Sequence, residues 1–259
     1  MSDDSKATSG SSEPQPAGVV KAPVAKALPK RFYKDVAIKD EEGRAAVLLD
    51  GRPVRTPGKA PLSVPSKKLA EAIAEEWRVQ GDHIDPRTMP LTKLANSAID
   101  GIEGHTEAVV DDIVSHAAAD LLCYRAGGPK GLLAEQAQHW DPVIAWARDV
   151  LNAPLTLADG IVHAPQADAS MAEIRKRLGE FDAFSLAALH VMTSLTGSAL
   201  LALAVALKRL TPDEAWAAAH VDEDWQVGKW GEDAEAKERR EARRRDFDAA
   251  ARTLALVDA

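Results

Sequence analysis

The chain has 259 residues, 46% hydrophobic and 28% charged, enough to build a sizeable core in one large or two smaller domains. Its net charge of -8 argues against a general nucleic-acid binder, which needs a basic surface to displace phosphate counterions. A single cysteine excludes an internal disulfide and a cysteine-built zinc site, and the longest apolar run, residues 199–207, is about half of the ~20 residues a membrane span requires.

Residues 1–28 are mostly small, with Ser, Ala, Pro and Lys prominent and little to bury, and are expected to form a disordered tail. The tail carries Asp3, Asp4 and Glu13, whereas organelle transit peptides are poor in acids, so the expected location is the bacterial cytoplasm. From Arg31 the texture changes to short β-prone runs, "RFYKDVAIKD", "RAAVLLD" and "RPVRTP". Asp50-Gly51 between two of them predicts a tight hairpin, because both central residues of a type I′ turn need positive φ. "GKAPLSVPS" predicts a further edge strand, limited by its prolines.

After Pro65 the pattern is helical. Ser66 caps a helix with Leu69, Ile73 and Trp77 on one face, which makes Trp77 a core residue, and Gly81 is expected to stop it. Helices are predicted from about Leu91, and again over "TEAVVDDIVSHAAADLLCY", where Cys123 reads as a small buried hydrophobe. "RAGGPKG" is a break. "LLAEQAQHWDPVIAWARDVL" is a helix bent or interrupted near Pro142. "APLTLADGIVHAPQ" is extended, and "ASMAEIRKRLGEF" is helical. "SLAALHVMTSLTGSALLALAVALKRL" reads as one helix, apolar on all sides and therefore central, with Gly197 and Ser198 as small packing residues. Thr211, Pro212 and Glu214 have the N-cap, N1 and N3 identities of a capping box, and a last helix runs from about Asp233 to Leu256. The fold class is α+β: a tail over 1–28, a small antiparallel β-rich amino-terminal domain with its following helices over 29–125, and a larger helical domain over 126–259.

Three places could carry function. Asp112, His116 and Asp120 recur at i, i+4 and i+8 and could offer a metal two carboxylates and an imidazole, which would make the chain a metal-dependent hydrolase, with Glu103 or His105 nearby. The pattern equally suits a helix face making ordinary hydrogen bonds, and no phosphate-loop or nucleophile-elbow spacing is present. The basic run over 237–245 could grip RNA, but acids interleave with it at helical pairing distance, as in Glu235/Arg239 and Glu241/Arg245. The third place is "VDEDWQVGKWGED". Its two tryptophans are five apart and do not share a helical stripe. It reads either as a helix end with Gly231 just past the last turn, or as an acidic, aromatic docking surface.

Taken in order, "RFYKDV", "LLDGRPVRTP", "LAEAIAEEW", "IDPRTMPLTKLANSAID", "DLLCYRA", "WDPVIAWA", "LTGSALLALAV" and "DEDWQVGKWGEDAEA" resemble the ATP synthase assembly chaperone family that attends the α subunit of the catalytic head. The resemblance covers about Arg31 to Leu256. It implies a non-enzymatic chaperone without a cofactor, monomeric, with a β-rich amino-terminal and a helical carboxy-terminal domain. It would bind the unassembled α subunit and mask its β-facing surface until the β subunit displaces it. Eukaryotic members are mitochondrial and α-proteobacterial ones cytoplasmic. The resemblance carries a partner-binding role to Asp222, Glu223, Asp224, Trp225, Gln226, Trp230 and Glu232, with Gly231 in the same motif.

Overall fold

The computed structural model describes residues 28–257 except 42 and 161, so all but the last residue of the predicted tail lies outside the described residues. β1 (Val36–Glu41) and β2 (Arg44–Leu49) form an antiparallel hairpin in the register Val36↔Leu49 to Glu41↔Arg44. Asp50 and Gly51 then turn the chain with φ of 48° and 76°, and β3 (Arg52–Pro53) pairs back on β2. β4 (Ser63–Val64) also pairs with β2, which is the central strand and buries Ala45, Ala46, Val47 and Leu49. Asp50 has a second task, accepting from the backbone N–H groups of Lys34 and Asp35 at 3.0 and 2.8 Å, and these bonds hold its carboxyl below the usual range.

α1 (Lys67–Arg78) starts where Ser66 accepts from the Leu69 N–H at 3.0 Å, and it stops one turn before Gly81. The Glu76 carboxylate then caps α2 (Pro90–Ser97), accepting from the N–H groups of Leu91 and Thr92 at 2.7 and 2.8 Å and from the Thr92 hydroxyl. A five-residue π-turn (Ala98–Ile102) leads to α3 (Thr106–Ala118). A two-residue parallel pair, β5 (Tyr124–Arg125) with β6 (Ala158–Asp159), brackets α4 (Lys130–Val150). α4 passes through Pro142 without a break. Pro142 deprives the ladder of one donor, and Trp140, Val143, Trp146 and Ala147, buried on both sides of it, anchor the helix across the gap.

α5 (Asp168–Leu178) and α6 (Ala183–Thr196) follow, but the long apolar helix expected over 185–210 is two helices. Gly197 ends α6 in the left-handed conformation at φ 70°, and the Ser198 hydroxyl accepts from the Leu201 N–H at 3.0 Å to start α7 (Ala199–Ala206). The sequence Gly-Ser is thus a stop and a start rather than a packing notch. α8 (Pro212–Ala219) opens with the expected capping box, Thr211 and Glu214 bonding reciprocally. α9 (Val221–Trp230) and α10 (Ala234–Val257) complete the chain, with Asp233 accepting from the Ala236 N–H at 2.8 Å.

One contiguous apolar core joins the sheet to the helices, from Val47 and Leu62 through Leu69 and Ile113 to α6, α7 and Phe247 of α10. α10 runs back along α6 and reaches α1 and α2, where the Ser66 hydroxyl donates to the Leu256 carbonyl. The α6–α7 junction is held from outside by Asp120, fully buried, whose two oxygens accept from the N–H groups of Leu122 and Leu200, each at 3.1 Å. Burial raises its carboxyl pKa from 3.8 to about 6 against the pull of these donors. The unfolded chain therefore releases this proton at lower pH than the folded chain, and the group's contribution to stability falls as pH rises from about 4 to about 6. Truncation to Asp120→Ala strands at least two buried N–H groups, and we expect a loss of about 3 kcal/mol. Thermal denaturation would register this as a drop in Tm of roughly 6–12 °C.

Candidate partner-binding site

The carboxylates and histidine suggested for a metal do not converge. Asp112 is exposed and meets His190 Nε2 at 2.9 Å, while His116 Nδ1 lies 2.9 Å from the Asp112 backbone carbonyl. Asp120 points into the core at the α7 cap, Glu103 is paired with Arg44 at 2.8 Å, and His105 is exposed at the start of α3. Among the described residues no group of three or more His, Cys, Asp or Glu could hold a metal ion, so the hydrolase alternative fails on geometry. Cys123 is buried and its thiol is pushed up to about 12, by desolvation first and then by Asp120, which excludes a resting thiolate nucleophile.

The basic run is drawn into internal ties. Arg240 pairs with Asp224, Arg244 bridges Asp213 and Asp248, Arg239 pairs with Glu235, Lys237 with Glu232 at 3.0 Å, and Arg243 donates to the Leu195 carbonyl. Arg244 also lies 5.4 Å from the Trp216 ring centre. These contacts fasten α10 to α6, α8 and α9, leaving little of the run to meet a phosphate backbone.

The acidic, tryptophan-bearing segment is α9 itself. Asp222, Glu223 and Asp224 occupy its first turn, where carboxylates offset the unsatisfied N–H groups of the helix start. Gly231, at φ 89°, follows its last turn and donates to the Val227 carbonyl. One side of α9 faces α4. Gln136, buried, donates to Asp222 at 2.7 Å and accepts from the Ala126 N–H at 3.0 Å. The edge of the Trp225 indole fills the spot where any side chain on Gly131 would sit, and Lys229 Nζ lies 5.0 Å from the ring centre. Asp224 and Glu232 are held by Arg240 and Lys237.

The opposite side is open among the described residues, apart from Glu223, whose Oε2 lies 3.8 Å from His220 Nε2. Glu223, Gln226, Val227 and Trp230 fall at i, i+3, i+4 and i+7, one outward stripe, and all are exposed, Trp230 to 88%. The seven residues singled out in the sequence therefore divide. Asp222 and Trp225 seat the helix, Asp224 and Glu232 tie it to α10, and Glu223, Gln226 and Trp230 face solvent. Val227, on the same stripe, is not among the seven; its one signal in the sequence is the i, i+4 spacing from Glu223, since the two tryptophans lie on different faces.

Comparison with known proteins shows the family. The family model described as ATP12 chaperone protein matches residues 30–148. The solved structure of Atp12 from Paracoccus denitrificans is 41% identical, superposes with a TM-score of 0.83, and is covered over 98% of its length by 88% of this chain. The chain belongs to the ATP12 chaperone family. It is accordingly a chaperone of ATP synthase assembly and not an enzyme. A solved structure from Agrobacterium tumefaciens, described as a candidate chaperone, is 50% identical, with a TM-score of 0.85 and coverage of 88% of this chain and 86% of that one. The curated mitochondrial protein atp12 of Schizosaccharomyces pombe is 25% identical over 221 residues, 81% of this chain and 76% of that protein. Among the described residues no helix is long and apolar enough to cross a membrane.

α9 joins α8 at His220, a buried imidazole whose Nδ1 lies 2.8 Å from the Trp216 carbonyl and whose ring sits 4.0 Å from the Trp216 ring. Burial lowers its pKa, helped by Arg240 and Arg243 and opposed by the Trp216 carbonyl and Glu223. The unfolded chain takes this proton first, so stability from His220 is lost as pH falls below the ordinary value of 6.5. Replacing the ring in His220→Asn is expected to flatten the decline in stability between about pH 7 and pH 5, as read by urea denaturation of variant and parent at each pH.

Proposed function

We propose that this chain binds the unassembled α subunit of the ATP synthase catalytic head through the outward stripe of α9. In this reading it covers the subunit's β-facing surface until the β subunit displaces it. The observation that carries the reading is the 88% exposure of Trp230 beside Glu223, Gln226 and Val227, on a helix whose other side is firmly seated. A tryptophan left in water at the end of a rigid helix, within an acidic rim, has the makeup of a binding anchor. An unassembled subunit exposes the apolar surface it will later bury, and such surface aggregates unless covered. Release needs no nucleotide hydrolysis by the chaperone, because a tighter αβ contact withdraws the α subunit by mass action. The solved bacterial relatives support a bacterial cytoplasmic setting.

Purified chain mixed with refolded α subunit is expected to suppress light scattering and co-elute with it on gel filtration, and added β subunit should dissolve the complex. Trp230→Ser and Glu223→Lys should each weaken the complex by at least about tenfold, the scale of an anchor residue. For Trp230→Ser Tm should stay within about 1 °C of the parent, because the side chain is exposed, whereas Glu223→Lys also removes a first-turn carboxylate near His220 and should lower Tm by a few degrees. Equal binding by both variants would remove α9 from the interface.

A further inference from the structure

Away from α9, the amino-terminal half carries a groove between the sheet and the first helices. One cavity, of about 620 Å³, is lined by Phe32, Tyr33, Leu49, Pro53 and Trp77 among others. A second, of about 560 Å³, is lined by Ile84, Met89, Thr92 and Asn96. The two share Val54, Arg55 and Trp77, so they adjoin along these residues, beside the end of α1.

The floor of the groove is aromatic and stepped. Phe32 packs edge-on against Tyr33 with ring centres 5.4 Å apart, and Tyr33 edge-on against Trp77 at 5.7 Å. Phe32, at the mouth, is 73% exposed, an unusual position for a phenylalanine. Two polar atoms on the walls, the Trp77 indole N–H and the Asn96 side-chain oxygen, are buried and have no hydrogen-bond partner among the described residues. Both atoms belong to residues lining the second cavity and are themselves shielded from solvent, so they can report on what fills it without touching it.

The charges around it have one sign. Arg52, Arg55 and Lys93 line the groove, and the single acid there, Asp50, is already engaged by the N–H groups of Lys34 and Asp35. Arg52 makes no ion pair among the described residues, Arg55 donates only to the Lys59 carbonyl, and Lys93 reaches Asp246 at 3.5 Å. A basic rim on a chain of net charge -8 is a local design against the overall field.

We propose that this groove takes an extended polypeptide segment with an apolar centre and acidic flanks. The apolar side chains fill the groove over Trp77. The flanking carboxylates meet Arg52, Arg55 and Lys93. The occupant is defined by this chemistry and does not depend on the α-subunit reading of α9.

The test uses the full chain and a synthetic peptide of about ten residues, leucine and valine at the centre and glutamates at both ends, a length suited to an extended binding mode. A control peptide carries lysines in place of the glutamates. Titration is followed by NMR at the Trp77 indole N–H and the Asn96 side-chain amide. The acidic peptide should shift both resonances, and the double variant Arg52→Glu/Arg55→Glu, altered only at exposed positions, should weaken that binding by about tenfold or more with unchanged Tm. Absence of shifts at both resonances, equal response to the lysine peptide, or undiminished binding by the double variant would overturn the proposal. The same shifts produced by inorganic phosphate alone would overturn it too, by making the rim an anion site. Because α subunit is absent from the assay, its outcome is separate from that of the α9 experiment.

Discussion

The Asp120 carboxylate lies where the chain leaves α3, and it spends its two oxygens on two different pieces of backbone, the turn at Leu122 and the start of α7 at Leu200. The second bond matters most. Residues 183–206 are apolar enough to have formed one central helix, and the break at Gly197 turns them into two. A break in the middle of a core exposes N–H groups to a place water cannot reach, and each would cost more than an ordinary hydrogen bond returns. Ser198 and Asp120 supply the missing acceptors. With that junction satisfied, α7 departs in its own direction, α8 packs on α7, α9 on α4, and α10 runs along α6.

The same logic of buried polar ends runs through the fold. Glu76 caps α2 from the preceding helix, and Gln136 bridges Ala126 and Asp222. In each case a polar side chain distant in sequence closes an end that local residues leave open. These bonds fix how elements meet, whereas the apolar core, continuous from Val47 to Phe247, supplies the bulk of the driving force without specifying direction.

α9 shows such anchoring at the proposed binding face. A helix of ten residues is too short to hold itself together in water, so it borrows rigidity from α4 and α10 through Asp222, Asp224 and Trp225. Its remaining stripe is then presented without the entropy loss that a mobile segment would suffer on binding. The density of acids and arginines over 222–248 follows from this arrangement: charges at the helix start, charges that tie two helices together, and a few left for the surface.

Local chemistry was legible in the sequence wherever the deciding partners are neighbours. The Asp50-Gly51 turn, the Ser66 cap, the Thr211/Glu214 capping box and the α+β class all follow from short-range spacing and conformational preference. The amphipathic stripe of α1 likewise places Trp77 against the interior, although not its unpartnered indole N–H. Sequence also identified the segment around Trp230 as unusual, but could not say which of its side chains face outward. That division needed Gly131, Gln136 and Arg240, each remote in the chain, because a charged residue looks the same on paper whether it meets water or an arginine from another helix. Tertiary structure alone decided that Asp120 serves as a cap rather than a ligand, that Gly197 divides a helix, and that Pro142 does not. The physical reason is common to all three: the cost of a buried polar group or a missing donor depends on what the rest of the fold brings within 3 Å or so, and a sequence does not carry distances.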